Sequence, residues 1–125
     1  MGKGNTTMKT ISDYIDYQKD FDEKHFSNFD WAQKISDDNL DVLSFLLISL
    51  LGEIGETSNI LKKILRGDAT LKELRSSLNE EVVDIFIYVL KLIYQLDIDI
   101  EYEYFKKMRV NKERFSKYEG GDVNT

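Results

Sequence analysis

Two stretches of this chain are apolar on nearly every side that a helix can present. Ile85–Leu90 is apolar all the way round, and Val42–Leu51 nearly so, interrupted only by Ser44 and Ser49. A helix of that kind must be covered on all sides. No proline occurs in the 125 residues, and the chain is rich in Leu, Ile, Lys and Glu, which favours long helices. No segment alternates with period two for long enough to argue for a strand. The chain therefore reads as an all-α protein, a four-helix-type bundle. Four helices in so short a chain cannot wrap two of their own number. A homo-oligomer, dimer or tetramer, is expected, with these helices at its interface.

The punctuation divides the chain simply. Residues 1–10 read as a mobile tail, and Met8 stands as an alternative start. Ser12 or Asp13 caps a first helix to about His25, with Ile11, Ile15, Phe21, Tyr14 and Phe26 turned inward. An irregular stretch from Asn28 to Asp38 holds the single Trp31. Asp37, Asp38 or Asn39 caps a second helix to about Arg66, where Gly67 supplies the stop. At 1.5 Å per residue that helix is roughly 40 Å long, so a kink near Gly52 or Gly55 is expected. Thr70 and Glu73 form a capping box for a third helix ending near Leu96. A turn at Asp97–Asp99 leads to a fourth helix, Ile100 to Phe115. Residues 11–118 form one domain, and 119–125 a disordered tail.

Within the apolar stretches sit two acid pairs, Glu53/Glu56 and Glu81/Asp84, separated by a gap of 24 residues. Each pair is spaced i, i+3 and so shares a helix face. Leu46 and Ile60 lie in register with Glu53, and Leu74 and Tyr88 with Glu81, so both pairs look inward. Carboxylates there are costly unless a cation or a proton compensates them. Hard oxygen ligands without His or Cys suit Mg²⁺, or alternatively Mn²⁺. Neighbouring Glu80 reads as solvent-facing or as a contact behind the ligands.

Composition closes off other chemistries. Cysteine is absent and His25 is the single histidine, which excludes thiolate nucleophiles, disulfides, zinc–thiolate sites and multi-histidine centres. The net charge of −6 argues against a nucleic-acid partner. The apolar run Val42–Leu51 falls short of the roughly 18 residues a membrane span needs, and the first residues lack a signal-peptide core. A cytoplasmic, membrane-free protein is expected. Against this acidic background, Phe105–Tyr118 carries six cations and a single acid. Lys107, Asn111 and Arg114 fall on one face at i, i+4, i+7, a pattern suited to triphosphate oxygens. Lys62, Lys63 and Arg66 read instead as complements to the dipole at the end of the second helix.

Glu53-x-x-Glu56, then Glu81-x-x-Asp84, then Lys107-x-x-x-Asn111-x-x-Arg114, with their flanking text, resemble the MazG-like all-α nucleoside triphosphate pyrophosphohydrolases. That superfamily includes the dimeric dUTPases and the dCTP pyrophosphatase group. The resemblance covers roughly Asp30 to Tyr118. It implies that Glu53, Glu56, Glu81 and Asp84 ligate Mg²⁺ and are the catalytic residues. The reaction implied is hydrolysis of a nucleoside triphosphate to the monophosphate and pyrophosphate, by water attack at the α-phosphorus. Tyr88 would contact nucleotide, Asn111 the sugar or phosphates, and Lys107 and Arg114 the phosphates. Trp31 would stack on the base, or else plug the end of the bundle. The competing expectation is a non-enzymatic helical module for oligomerisation or partner binding, or a nucleotide sensor that keeps the site without turnover.

Overall fold

A computed structural model of the chain describes residues 9–25 and 28–120. All its regular structure is helical: α1 (Ile11–Lys24), α2 (Leu40–Leu65), α3 (Leu71–Gln95) and α4 (Ile100–Arg114), with 3-10 turns at Asp37–Asn39 and Ser116–Tyr118. The all-α expectation is met: all four helices end within one residue of the positions read from the sequence, and three of the four begin where expected.

The first cap is corrected by one element of the supposed tail. Thr10, not Ser12 or Asp13, is the N-cap of α1. Its hydroxyl accepts from Asp13 N–H at 3.3 Å, and the Asp13 carboxylate accepts from Thr10 N–H at 2.8 Å. That second bond is the main reason Asp13 is held below the usual carboxylate range. His25 closes the helix, donating from Nδ1 to the Phe21 carbonyl at 2.7 Å and stacking on the Phe21 ring. The remaining tail residues, 1–8 and 121–125, lie outside the described residues, as does Phe26.

The Thr70–Glu73 capping box forms as expected and starts α3. Between α2 and α3, Gly67 takes the left-handed conformation at φ +85°, and Asp68 N–H reaches back to the Lys63 carbonyl at 2.9 Å. This is the double-bonded helix stop that favours glycine. α2 continues unbroken through Gly52 and Gly55.

α2 and α3 form an antiparallel hairpin, and α1 packs on α3. Tyr14 meets Phe86, while Asp22 meets Lys91 and Tyr94, so α1 and α3 run in the same direction. The buried core, Val42, Leu46, Leu90, Ile93 and Tyr94, lies where the start of α2 crosses the end of α3. The connector before α2 is tied across that end. Ile35 N–H donates to Gln95 O, and Gln95 Nε2 to Gln33 O, each at 2.9 Å. Lys34 Nζ donates to Tyr94 O at 3.1 Å and pairs with Asp97.

Two expectations are corrected. Phe21 and Tyr14 are about half exposed, at 50% and 48%, whereas the fully buried residue of α1 is Asp22. Within one chain, moreover, the bundle has three helices. α4 makes no substantial packing against α1, α2 or α3 and buries none of its residues. Its apolar side chains are interleaved with charges, so it presents no continuous stripe broad enough to compete for the α2–α3 surface.

Candidate metal centre

The core occupies one end of the hairpin, and the acids sit farther along it. Glu53 on α2 and Glu81 and Asp84 on α3 converge, with one ligand oxygen from each within 4.8 Å of the others. Glu53 and Glu81 are half-buried. The convergence follows from local periodicity, because each acid replaces an apolar residue of the stripe that its helix turns to the other. Thr57, one turn beyond Glu53, spends its hydroxyl on the Glu53 carbonyl at 2.8 Å, so it does not compete for the carboxylate.

The cluster lacks compensation. Among the described residues none of these acids forms an ion pair. Glu81 Oε1 is buried without a hydrogen-bond partner. Burial pushes the Glu81 carboxyl above its usual range, helped by the Glu53 carboxylate beside it and by the charges of Glu56 and Asp84. An orphaned buried oxygen among carboxylates is the environment a hard divalent cation relieves. The donor set, all oxygen and anionic, fits Mg²⁺ or Mn²⁺ and disfavours softer metals. Octahedral Mg²⁺ ligands lie roughly 3 to 4 Å apart, a distance within side-chain adjustment of the observed group.

Of the four acids expected as ligands, Glu56 stands apart. It is exposed and outside the three-residue group, though its charge reaches Glu81. Tyr88 lies half-buried one turn beyond Asp84. Trp31 packs against Phe29 at 4.6 Å and Phe45 at 5.6 Å between ring centroids. These rings border a 270 Å³ hollow with Asp41 and Val42, over the start of α2. Lys107, Asn111 and Arg114 are all on α4, which stands off the hairpin. A single chain therefore does not bring them to the acids.

Sequence reasoning missed a second polar centre. Asp22, 3% exposed, accepts from Lys91 Nζ at 2.8 Å, Gln18 Nε2 at 3.0 Å and Tyr94 OH at 2.5 Å. Tyr94 is held protonated far above its usual range, first by burial and then by its bond to Asp22. The signal was present: Lys91 is the lone cation between Val82 and Leu96, and such a charge requires a partner.

No family model matches the chain, and no solved structure matches it. Among curated proteins it is similar to the Gene 37 protein of Mycobacterium phage L5, at 41% identity over 63 residues. That alignment covers 49% of this chain and 55% of the phage protein, so the chain spans about half the length of the relative it matches. The relative's name states no activity.

Proposed function

We propose that this chain is a MazG-like, Mg²⁺-dependent nucleoside triphosphate pyrophosphohydrolase. It would cut a (d)NTP to the (d)NMP and pyrophosphate, acting as a cytoplasmic homo-oligomer in control of the nucleotide pool. The observation that carries this reading is the convergence of Glu53, Glu81 and Asp84 around a buried Glu81 oxygen with no partner. Bound there, Mg²⁺ would offset the acids' mutual repulsion and offer positive charge to phosphate oxygens. Glu56, exposed but with its charge felt at Glu81, would join the ligand set or orient water.

The surface beside the acids supports a nucleotide. Phe45, Ser49, Gly52 and Glu56 are spaced i, i+4, i+7, i+11 and so share one stripe of α2. Gly52 has open space where a Cβ would stand. The stripe leads from the Trp31–Phe45 hollow towards the acid end, about 12 Å along the helix between Phe45 and Glu53. A base stacked at Trp31 and phosphates at the acids would lie along this track, with Tyr88 beside it. Under this reading the phosphate contacts from Lys107, Asn111 and Arg114 come from a neighbouring copy. No helix among the described residues is long and apolar enough to cross a membrane.

The test is a panel of (d)NTPs with Mg²⁺, scored for pyrophosphate against orthophosphate. Pyrophosphate release is expected, and Glu53→Gln and Asp84→Asn should each abolish it while far-UV circular dichroism stays helical. Full turnover in both variants would sink the metal-site reading.

A helical interaction module is the second reading. It is favoured by α4, whose Tyr104, Phe105, Met108 and Phe115 are all more than 40% exposed. Calorimetric titration separates the two, since a module of this kind would bind neither Mg²⁺ nor nucleotide.

A further inference from the structure

The stripe of α2 that carries Phe45, Ser49, Gly52 and Glu56 begins one turn earlier, at Asp41, four residues before Phe45. Asp41 closes one side of the 270 Å³ hollow whose other lining residues are Phe29, Trp31, Val42 and Phe45. The hollow therefore joins three aromatic rings to one carboxylate. Phe29, Trp31 and Phe45 keep 36–46% of their surface exposed, so packing does not use up their rings. Nor is the carboxylate spent on the fold. Ser36 and Asn39 make the capping bonds at this end of the helix, and no cation among the described residues pairs with Asp41.

We infer that this hollow selects guanine, with Asp41 as the residue that reads the base. The inference rests on the nucleotide reading above and names its substrate class, guanine nucleoside triphosphates. A carboxylate only accepts hydrogen bonds, and its two oxygens take two parallel donors. Among the common bases, guanine alone presents two such donors side by side, N1–H and the 2-amino group. Adenine and cytosine set a ring nitrogen lone pair beside their amino group, and uracil and thymine flank N3–H with carbonyl oxygens. In each of those cases a carboxylate oxygen faces another acceptor and a hydrogen bond is lost. Stacking on aromatic side chains, with the Watson–Crick edge held by hydrogen bonds, is a general way of reading an unpaired base.

The course of the stripe suits the rest of a nucleotide. From Asp41 to Glu53 is about 18 Å along the helix axis. With the base edge at Asp41 and the ring against Trp31 and Phe45, the sugar and phosphates run towards the acids. Between them stand only Ser49 and Gly52, and Gly52 leaves open space. An alkylammonium ion would also suit aromatic rings beside a carboxylate, but it would leave the stripe and the acids without a role.

Trp31 is the single tryptophan, so its fluorescence reports on the hollow directly. The full chain is titrated with dGMP, dIMP, dAMP, dCMP, dTMP, dXMP and tetramethylammonium, none of which can be turned over to pyrophosphate. Saturable quenching by dGMP is expected, at a Kd at least about 10-fold below that of the others. The comparison with dIMP isolates the 2-amino group, which is all that dIMP lacks. Asp41→Asn replaces one acceptor by a donor at an exposed position, so helicity should be kept. It should weaken dGMP at least about 10-fold and strengthen dXMP, whose second carbonyl stands where guanine has its amino group. With Mg²⁺ the same exchange, from dGTP to dXTP, should appear in kcat/KM for pyrophosphate release. Equal Kd values for all the bases, or an Asp41→Asn variant that still prefers dGMP, would overturn the guanine reading alone. Tighter binding of tetramethylammonium than of dGMP would also overturn it and assign the hollow to organic cations. Guanine-selective quenching without pyrophosphate release from dGTP would uphold this inference and overturn the pyrophosphohydrolase reading.

Discussion

Asp22 is the residue on which the contact between α1 and α3 turns. Its carboxylate takes three donors in a site almost closed to water. Lys91, 14% exposed, has no other salt bridge among the described residues. Removing one member of a buried ion pair leaves the other charge stranded, at a cost of about 3–5 kcal/mol. Asp22→Ala is therefore expected to lose stability of that order in urea unfolding, whereas a loss below about 1 kcal/mol would mean water solvates Lys91 freely. Glu81 works in the opposite sense. Its folded-state carboxyl titrates above the ordinary value of 4.5, so the folded chain holds that proton more tightly than the unfolded chain does. The stability it contributes is fully present below the ordinary value and is lost as pH rises through the raised one. Without metal, Tm is expected to fall over that interval, and Mg²⁺ to restore it at neutral pH. Glu81→Gln should flatten the profile, raise Tm in chelator and abolish the response to Mg²⁺. These measurements check the acid cluster without relying on turnover. Stability given up at a site and recovered when it is neutralised is the usual trade of functional clusters.

Among the elements, α2 and α3 are long because nothing in them ends a helix early, and they begin and end at side chains visible in the sequence: Thr70 with Glu73, and Gly67. α4 is different. It has an N-cap at Asp99 and basic residues in its last turn, both favourable to a helix. Yet 15 residues without tertiary packing make a helix marginal in water. Its backbone should therefore open at little cost whenever no other chain covers it. Hydrogen exchange in dilute, monomeric solution should show α4 amides exchanging at least about 100-fold faster than those of Leu90–Gln95. Equal protection would mean that α4 folds back onto the hairpin. The basic face at Lys107, Asn111 and Arg114 belongs to this element, so its position relative to the acids depends on what α4 packs against.

At the scale of the molecule, the hairpin sorts its chemistry along its length, with the core at one end and the acids farther along. Much of this was legible beforehand. Helix number and limits, the Thr70 box, the Gly67 stop and the inward turn of Glu53, Glu81 and Asp84 all depend on interactions within a few residues. Periodicity and capping record those directly in the order of side chains. Other features depend on how each helix is rotated about its axis and on which helix it meets, and these appear only in the folded chain. Glu56 lies three residues from Glu53, yet the rotation of α2 against α3 leaves it exposed. Asp22 looked like one acid among several on α1 until Lys91 and Tyr94, about seventy positions away, closed over it. The connector holding Trp31 looked irregular because, beside local bonds such as Ala32 N–H to Asp30 and Ser36 N–H to Asn39, it is tied to Gln95 and Tyr94 some sixty positions away. The sequence alone therefore determined the helices, their ends and the acids they turn inward. Only the tertiary structure decided which acids meet, which charge is buried and which helix stands apart, because those outcomes rest on contacts between residues that the chain order keeps far from one another.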